Sequence, residues 1–400
     1  MMEGWNTYTL EQACERIYSG GTPSTKYPEY WNGNLKWLSS GETSQRFIYD
    51  TERKITQEGV NNSSTKLAKK GCTVIATAGQ GYTRGQASFL MTDTYMNQSV
   101  IACKANENVV LPLYLFYNLN NRYEEFRLLS DGTSTRGGLS GWILKRMDIN
   151  LPPLDVQAEV VSILYSIDQK IEENERINKN LADQSQAILT HFMDVYQCEF
   201  QPLSDIADII DCLHSKKPNS EKDSSYQLIQ LDNIRDDGFL DMSACKYMIS
   251  AEDYRNWTRK CEIREGDCVI TNVGRIGAVS QAPAGVKAAM GRNMTCIRLK
   301  DDIKLNAYLI TTLLSKHMKR QIESNTDEGT IMGALNVKNI PKLLLPIFVP
   351  TRMSELERLL FPIRKQIEYN NIQNQILSQT RDTLLPRLMS GEIDISNVEL

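Results

Sequence analysis

The residues best suited to chemistry stand in glycine-punctuated loops. In Thr77-Ala78-Gly79-Gln80-Gly81-Tyr82-Thr83-Arg84-Gly85-Gln86 an amide, a phenol, hydroxyls and a guanidinium lie close together. Arginine donates two hydrogen bonds to guanine, glutamine or asparagine pairs with adenine, and glycine lets a backbone approach phosphate. Thr77, Gln80, Tyr82, Thr83 and Arg84 are therefore candidate readers of nucleic-acid edges, although a plain polar hairpin turn would look the same in isolation. A second set shifts the balance. Asn272-Val273-Gly274-Arg275-Ile276-Gly277 holds the corresponding place in the second half of the chain and offers Asn272 and Arg275, with Arg292 and Asn293 downstream. A further pair of loops, Asp131-Gly132-Thr133-Ser134-Thr135-Arg136-Gly137-Gly138 and Asp327-Glu328-Gly329-Thr330-Ile331-Met332-Gly333, adds Thr133, Ser134, Arg136 and Thr330. Duplicated polar loops of differing sequence are what two readers of different short targets would show.

Catalytic signals are poor by comparison. There is no Gly-x-x-x-x-Gly-Lys-Ser/Thr phosphate loop, and Gly79-x-Gly81 lacks a suitably spaced third glycine opening a helix. Asn150-Leu151-Pro152-Pro153 resembles the Asn-Pro-Pro-aromatic motif of amino-methyltransferases, but Leu151 interrupts it and Leu154 replaces the aromatic. It reads as a strand end leading into a helix. His191, His214 and His317 have no matching positions between the halves, and the scattered cysteines form no Cys-x-x-Cys pair; Cys212 with His214 is the only close Cys/His couple. The thiols read as reduced and mostly buried. The expectation is a chain with no catalytic residue, no cofactor site and no metal site.

Loops of this kind need scaffolds, and the sequence offers the same scaffold twice. Val160, Leu164, Ile167, Ile171, Asn174, Asn178, Leu181, Ser185, Ile188 and Phe192 recur, 196 residues on, as Leu356, Leu360, Ile363, Ile367, Asn370, Asn374, Leu377, Arg381, Leu384 and Leu388. Two long helices thus go apolar, then Asn-Asn, then apolar, which predicts an antiparallel coiled coil whose buried asparagines fix its register. Asn174, Asn178, Asn370 and Asn374 are the register residues. Before each helix lies a module of the same order. Candidate strands are 72–76, 99–103 and 148–151, with a helix near 112–129; their counterparts are 267–271, 294–298 and 343–347, with a helix near 306–323. Leu111-x-x-Tyr114-Leu115 and Leu305-x-x-Tyr308-Leu309 keep the register.

The first helix, free of proline between Pro153 and Pro202, is predicted to run unbroken from an Asp155 N-cap to about Tyr196, roughly 60 Å. The second meets Pro362 and Pro386, so only Ile363 to Leu385, about 35 Å, reads as secure. Ser354-x-x-Glu357 looks like a capping box before a kink, and Gly391 like a C-terminal stop. The expected domains are 1–152, a first module; 153–198, the first spacer helix; 199–350, a second module; and 351–400, the second spacer helix and tail. The fold class is α/β (α+β), two similar mixed modules separated by two long helices with a pseudo-twofold duplication.

With 400 residues and 41% hydrophobic content the chain can build two or three cores. No stretch approaches a membrane span and the start lacks a signal-peptide layout, so the expected location is cytoplasmic. A formal net charge of −4 argues against a simple polyphosphate binder. Much of the acidity sits on the first long helix, in Asp155, Glu159, Asp168, Glu172, Glu173, Glu175, Asp183 and Asp194, which is expected to face partners or solvent.

Ile17-Tyr18-Ser19-Gly20-Gly21-Thr22-Pro23-Ser24, then Glu29-Tyr30-Trp31 and Trp37-Leu38, resembles the start of a target recognition domain in the specificity subunit of type I restriction-modification systems. Leu384-Leu385-Pro386-Arg387-Leu388-Met389-Ser390-Gly391-Glu392-Ile393-Asp394 is similar to the end of that family's second helical region. Asp211-Cys212-Leu213-His214-Ser215-Lys216-Lys217 departs from the pattern, since it lacks the Gly-Gly-Thr-Pro-Ser opening. The resemblance implies a non-catalytic subunit that binds a bipartite double-stranded DNA target. It also implies partners: two modification (methyltransferase) subunits and, in the full complex, ATP-dependent restriction subunits. S-adenosylmethionine, ATP and Mg belong to those partners. A second helix of about 35 Å would match one turn of DNA, roughly 34–36 Å. The alternatives are an antiparallel coiled-coil adaptor without DNA binding and a methyltransferase or nuclease in its own right.

Overall fold

A computed structural model describes residues 4–79, 81–131, 138–327 and 333–393. The chain forms two compact units, residues 1–169 with 378–400 and residues 170–377. Within unit one, a five-stranded sheet runs in the order Cys14–Ser19, Val100–Ala105, Thr73–Ala76, Ala87–Leu90 and Phe47–Ile48. All neighbours are antiparallel except the last, where Phe47 lies beside Phe89 in parallel register. Unit two repeats the order with Ala207–Asp211, Met294–Leu299, Cys268–Thr271 and Val279–Gln281, and an isolated parallel bridge from Phe239 to Gln281 stands where the fifth strand would be. An outlying strand pair also recurs, Asn6–Thr9 with Asp148–Leu151 in one unit and Glu199–Pro202 with Leu344–Ile347 in the other. The fold is thus mixed α/β with an internal duplication.

The helices following the sheets are each broken in two. Pro112–Asn120 and Tyr123–Asp131 replace the single helix expected in unit one, and Asn306–Leu313 and Lys316–Ser324 the single helix in unit two. The first segments are apolar on nearly all sides, with Tyr114–Leu119 and Ala307–Leu313 buried throughout, whereas the second segments are amphipathic. A straight helix cannot change from core rod to surface cover without turning.

The first long helix spans Leu154–Val195, close to expectation. The second departs from it: the helix is continuous over Pro350–Met389, through both internal prolines. Pro362 and Pro386 are exposed, so the carbonyl that each proline orphans can be solvated while the opposite face packs. At 40 residues this helix is about 60 Å long, which removes the match of a 35 Å segment to one DNA turn. Ser354 lies inside the helix and starts nothing. Glu357 caps a different helix, its carboxylate accepting the backbone N–H groups of Ala307 at 3.0 Å and Tyr308 at 2.8 Å. Gly391 does end the helix, at φ 74°.

In unit two the long helices meet antiparallel through their asparagines. Asn174 Nδ2 donates to Asn374 Oδ1 at 2.8 Å, and Asn370 Nδ2 donates to Asn178 Oδ1 at 2.8 Å. In unit one the corresponding interior is ionic. Asp168, 2% exposed, accepts from Arg381 Nη1 at 2.7 Å, the Tyr117 hydroxyl at 2.8 Å and Arg46 Nη2 at 3.3 Å. Asp168 therefore faces inward and is not part of an acidic outer face. Burial lowers the Arg46 pKa, and the charge of Asp168 opposes that shift.

Removing the carboxylate leaves Arg46 without its ion-pair partner and Arg381 with only the exposed Asp382, 2.8 Å from Nη2. We expect Asp168→Ala to destabilise unit one by about 3–5 kcal/mol, read as a lowered denaturation midpoint; an unchanged midpoint would mean that the ion cluster is not formed.

Candidate nucleic-acid interface

Three loops of each module are drawn to one end of its sheet by backbone hydrogen bonds. In unit one the Thr77 N–H donates to Ser99 O at 2.8 Å and the Leu139 N–H donates to Thr77 O at 3.0 Å. In unit two the Asn272 N–H donates to Asn293 O at 2.8 Å and the Leu335 N–H to Asn272 O at 2.9 Å. The hairpin loop, the turn before the next sheet strand and the end of the loop after the helices therefore meet twice, in the same way.

The residues named from sequence occupy different parts of these ends. Gln80, Thr133, Ser134, Arg136 and Thr330 lie outside the described residues. Tyr82 is 82% exposed, with Thr83 and Arg84 half-buried beside it. Its loop is held from below: the Tyr123 hydroxyl donates to Tyr82 O at 3.1 Å and Arg127 Nη1 to Gly81 O at 2.7 Å. Gly81 and Gly85 adopt φ of 60° and 91°, a region open to glycine at little cost. Thr77 is buried and contributes through its backbone. Asn272 is buried as well, its amide exchanging hydrogen bonds with Thr295 Oγ1 at 3.1 and 3.2 Å. Both support the loops from inside. Arg275 donates to Ile234 O at 2.6 Å and is paired with Asp236, so reaching a ligand requires breaking an exposed ion pair. Arg292 and Asn293 are exposed, the latter at φ 63°.

Several neighbours were not singled out from sequence. Lys217, Gln230 and Trp257 line a cleft with Arg292 and Asn293. Of these only Lys217 stood in a marked segment, and there for its departure from the family pattern. Tyr123 and Arg127 lie on a helix and carry no loop signature.

The Gly-Gly-Thr-Pro-Ser opening has a structural explanation. A side chain at Gly20 would place its Cβ 1.9 Å from Met96 O, and one at Gly21 would stand 2.1 Å from Ser64 Oγ. The Gly21 N–H donates to Met96 O at 2.9 Å, and Trp37 Nε1 donates to Gly21 O at 3.2 Å. Trp31 packs edge-on against Trp37 with ring centroids 5.1 Å apart, and the Arg53 guanidinium covers Trp31 at 3.7 Å. The two glycines of the motif thus fasten chain crossings.

Comparison with known proteins agrees with this architecture. Residues 2–182 match the family described as the type I restriction modification DNA specificity domain. The chain is 23% identical over 98% of its length, and 94% of the relative's, to the type I restriction enzyme MjaIX specificity subunit of Methanocaldococcus jannaschii. It is 20% identical, over 98% of its length and 100% of the relative's, to the HindI specificity subunit of Haemophilus influenzae. Among solved structures it is similar in fold to the type I restriction-modification S subunit from M. genitalium, with a TM-score of 0.56, 14% identity and 96% of both chains covered. Residues 2–182 thus match a type I restriction modification DNA specificity domain, and over nearly its whole length the chain is similar to specificity subunits of type I restriction enzymes. Among the described residues no helix is long and apolar enough to cross a membrane.

Because the Gly20 approach is to backbone, the neighbour cannot yield. We expect Gly20→Ala to abolish the folding of unit one, whereas Gly41→Ala, whose nearest neighbour would be 3.8 Å away, should be neutral. Soluble yield and thermal midpoints of the two variants check this, and equal behaviour would count against the crossing.

Proposed function

We propose that this chain reads a bipartite double-stranded DNA target, one short half-site per module, and directs adenine methylation or cleavage by partner subunits. The observation that carries the reading is that in both units the hairpin loop, the turn before the next sheet strand and the residue at Leu139 or Leu335 meet at one sheet end, with Tyr82 exposed in one unit and Arg292 and Asn293 in the other. Base edges are read by side chains that project from a rigid support, while phosphate contacts set position. The relatives' printed role as specificity subunits of type I restriction enzymes supports it. The partners of this reading are two modification subunits, which would hold S-adenosylmethionine, and ATP- and Mg-dependent restriction subunits. A net charge of −4 fits a subunit that shares phosphate contacts with such partners.

Tyr82→Ala should relax or abolish recognition of one half-site only, and Arg292→Ala the other, each at a cost of about 1–3 kcal/mol in discrimination. Sequencing of methylated sites in a host carrying the assembled complex gives the result directly; unchanged motifs in both variants would sink the loop assignment. A gel shift with and without a modification subunit separates this reading from a coiled-coil adaptor that leaves DNA alone.

The long helices serve, on the same proposal, as the spacer between half-sites, with Asn174, Asn178, Asn370 and Asn374 holding their register. Leu189 and Phe192 at the end of the first helix belong to the core of unit two, so a spacer change belongs where the units divide, after Gln169 and after Leu377. Inserting about four residues in both helices adds about 6 Å, nearly two base pairs at roughly 3.4 Å each. The expected outcome is the same two half-sites with a longer gap between them. A methylated motif with an unaltered gap and full activity would show that the helices do not set the distance.

A further inference from the structure

At the exit of the strand Ala207–Asp211, where unit two lacks the glycine fastening of unit one, three side chains of different chemistry converge. Asp211, Cys212 and His214 each offer one ligand atom, and these atoms lie within 4.8 Å of one another. His214 Nε2 stands 2.7 Å from Asp211 Oδ2. The other carboxylate oxygen, Oδ1, is buried without a hydrogen-bond partner. Leaving such an acceptor unsatisfied is costly, and a bound cation would satisfy it. Cys212 is 1% exposed. Burial raises its thiol pKa and Asp211 adds to the rise by its charge and by a hydrogen bond with the thiol, while the backbone N–H groups of Met294 and Asn293 partly oppose it. N–H donors of this kind stabilise a metal-bound thiolate by hydrogen bonding to its sulfur.

We propose that Asp211, Cys212 and His214 form a zinc site on the segment that leaves this strand. One carboxylate and one thiolate neutralise a divalent ion, and a neutral imidazole completes a mixed O, S and N set suited to zinc; calcium and magnesium prefer oxygen alone. Binding releases the Cys212 proton to solvent. His214 is exposed, which leaves the fourth coordination position open to water. The site thus departs from the sequence expectation of no metal. Among the described residues a second cluster, Cys261, Asp267 and Cys296, contains no histidine, and Arg298 already donates to both oxygens of Asp267, at 2.8 and 2.6 Å, taking the place a cation would fill.

The test uses the full chain, stripped with a chelator, reloaded with zinc chloride, desalted and analysed for bound metal. Stoichiometric zinc is expected in the wild-type chain and in Cys261→Ser, and its loss in Cys212→Ser and His214→Ala. The His214 side chain lies outside the core, so that variant reports on ligation without a folding defect, which circular dichroism checks. Cobalt reloading adds a second readout, a thiolate-to-cobalt charge-transfer band that Cys212→Ser should remove. No retained zinc in the wild type, equal zinc in wild type and both ligand variants, or loss confined to Cys261→Ser would each overturn the proposal.

Discussion

A buried amide is costly unless another polar group meets it, and where the two long helices pair in unit two Asn174, Asn178, Asn370 and Asn374 are all met in this way, whereas the buried Asn371 beside them is not. Asn174 with Asn374 and Asn370 with Asn178 form two crossed bonds, while Asn178 and Asn374 turn their Nδ2 towards the Ile367 and Ile171 carbonyls at 3.5 and 3.4 Å. Each contact has its counterpart 196 residues away, so the tier has the pseudo-twofold symmetry of the sequence. A slip of one helical turn would leave two of the four amides facing other residues, at about 1–3 kcal/mol for each unsatisfied group. Hydrophobic packing alone discriminates poorly between such registers, because leucine against isoleucine is nearly as good one turn along.

The duplication is less symmetric where the helices hold their own modules. Asp168 and Arg364 are 196 residues apart, yet one is an acid and the other a base. In unit one the module supplies the cation, Arg46, and the helix supplies the carboxylate. In unit two the helix supplies the cation, and Arg364 Nη2 approaches the Gly238 carbonyl at 3.3 Å. A side chain at Gly238 would meet Leu314 at 2.6 Å and Arg364 at 3.2 Å, so the glycine makes room for the guanidinium. The two joints are thus built from non-interchangeable parts, and a buried charge whose partner is missing is costly.

At the sheet ends the residues divide into those that hold and those that project. Thr77, Asn272, Tyr123 and Arg127 spend their hydrogen bonds on the loops themselves. Tyr82, Arg292 and Asn293 remain on the surface. Such a division suits recognition, because a contact made by a side chain on a fixed support loses less entropy on binding than one made by a free loop.

The sequence by itself determined the duplication, the mixed class, the first long helix and three strands of each module, because hydrophobic periodicity and repeated landmarks such as Tyr114 and Tyr308 are local properties that survive without coordinates. The order of the strands in the sheets came only with the structure. The sequence also marked which loops carry polar side chains. What only the tertiary structure decided depends on partners distant in sequence. Pro362 and Pro386 read locally as breaks, but they face solvent while the opposite side of the helix packs. Glu357 reads as the cap of its own helix and instead caps one that begins near Asn306. Asp168 reads as surface acidity and is buried against arginines 122 residues before it and 213 after it. Asn272 reads as an exposed amide and is satisfied by Thr295 on the neighbouring strand. In each case spacing along the chain reports what a residue can do, and the hydrogen-bond partner that burial brings to it decides what it does.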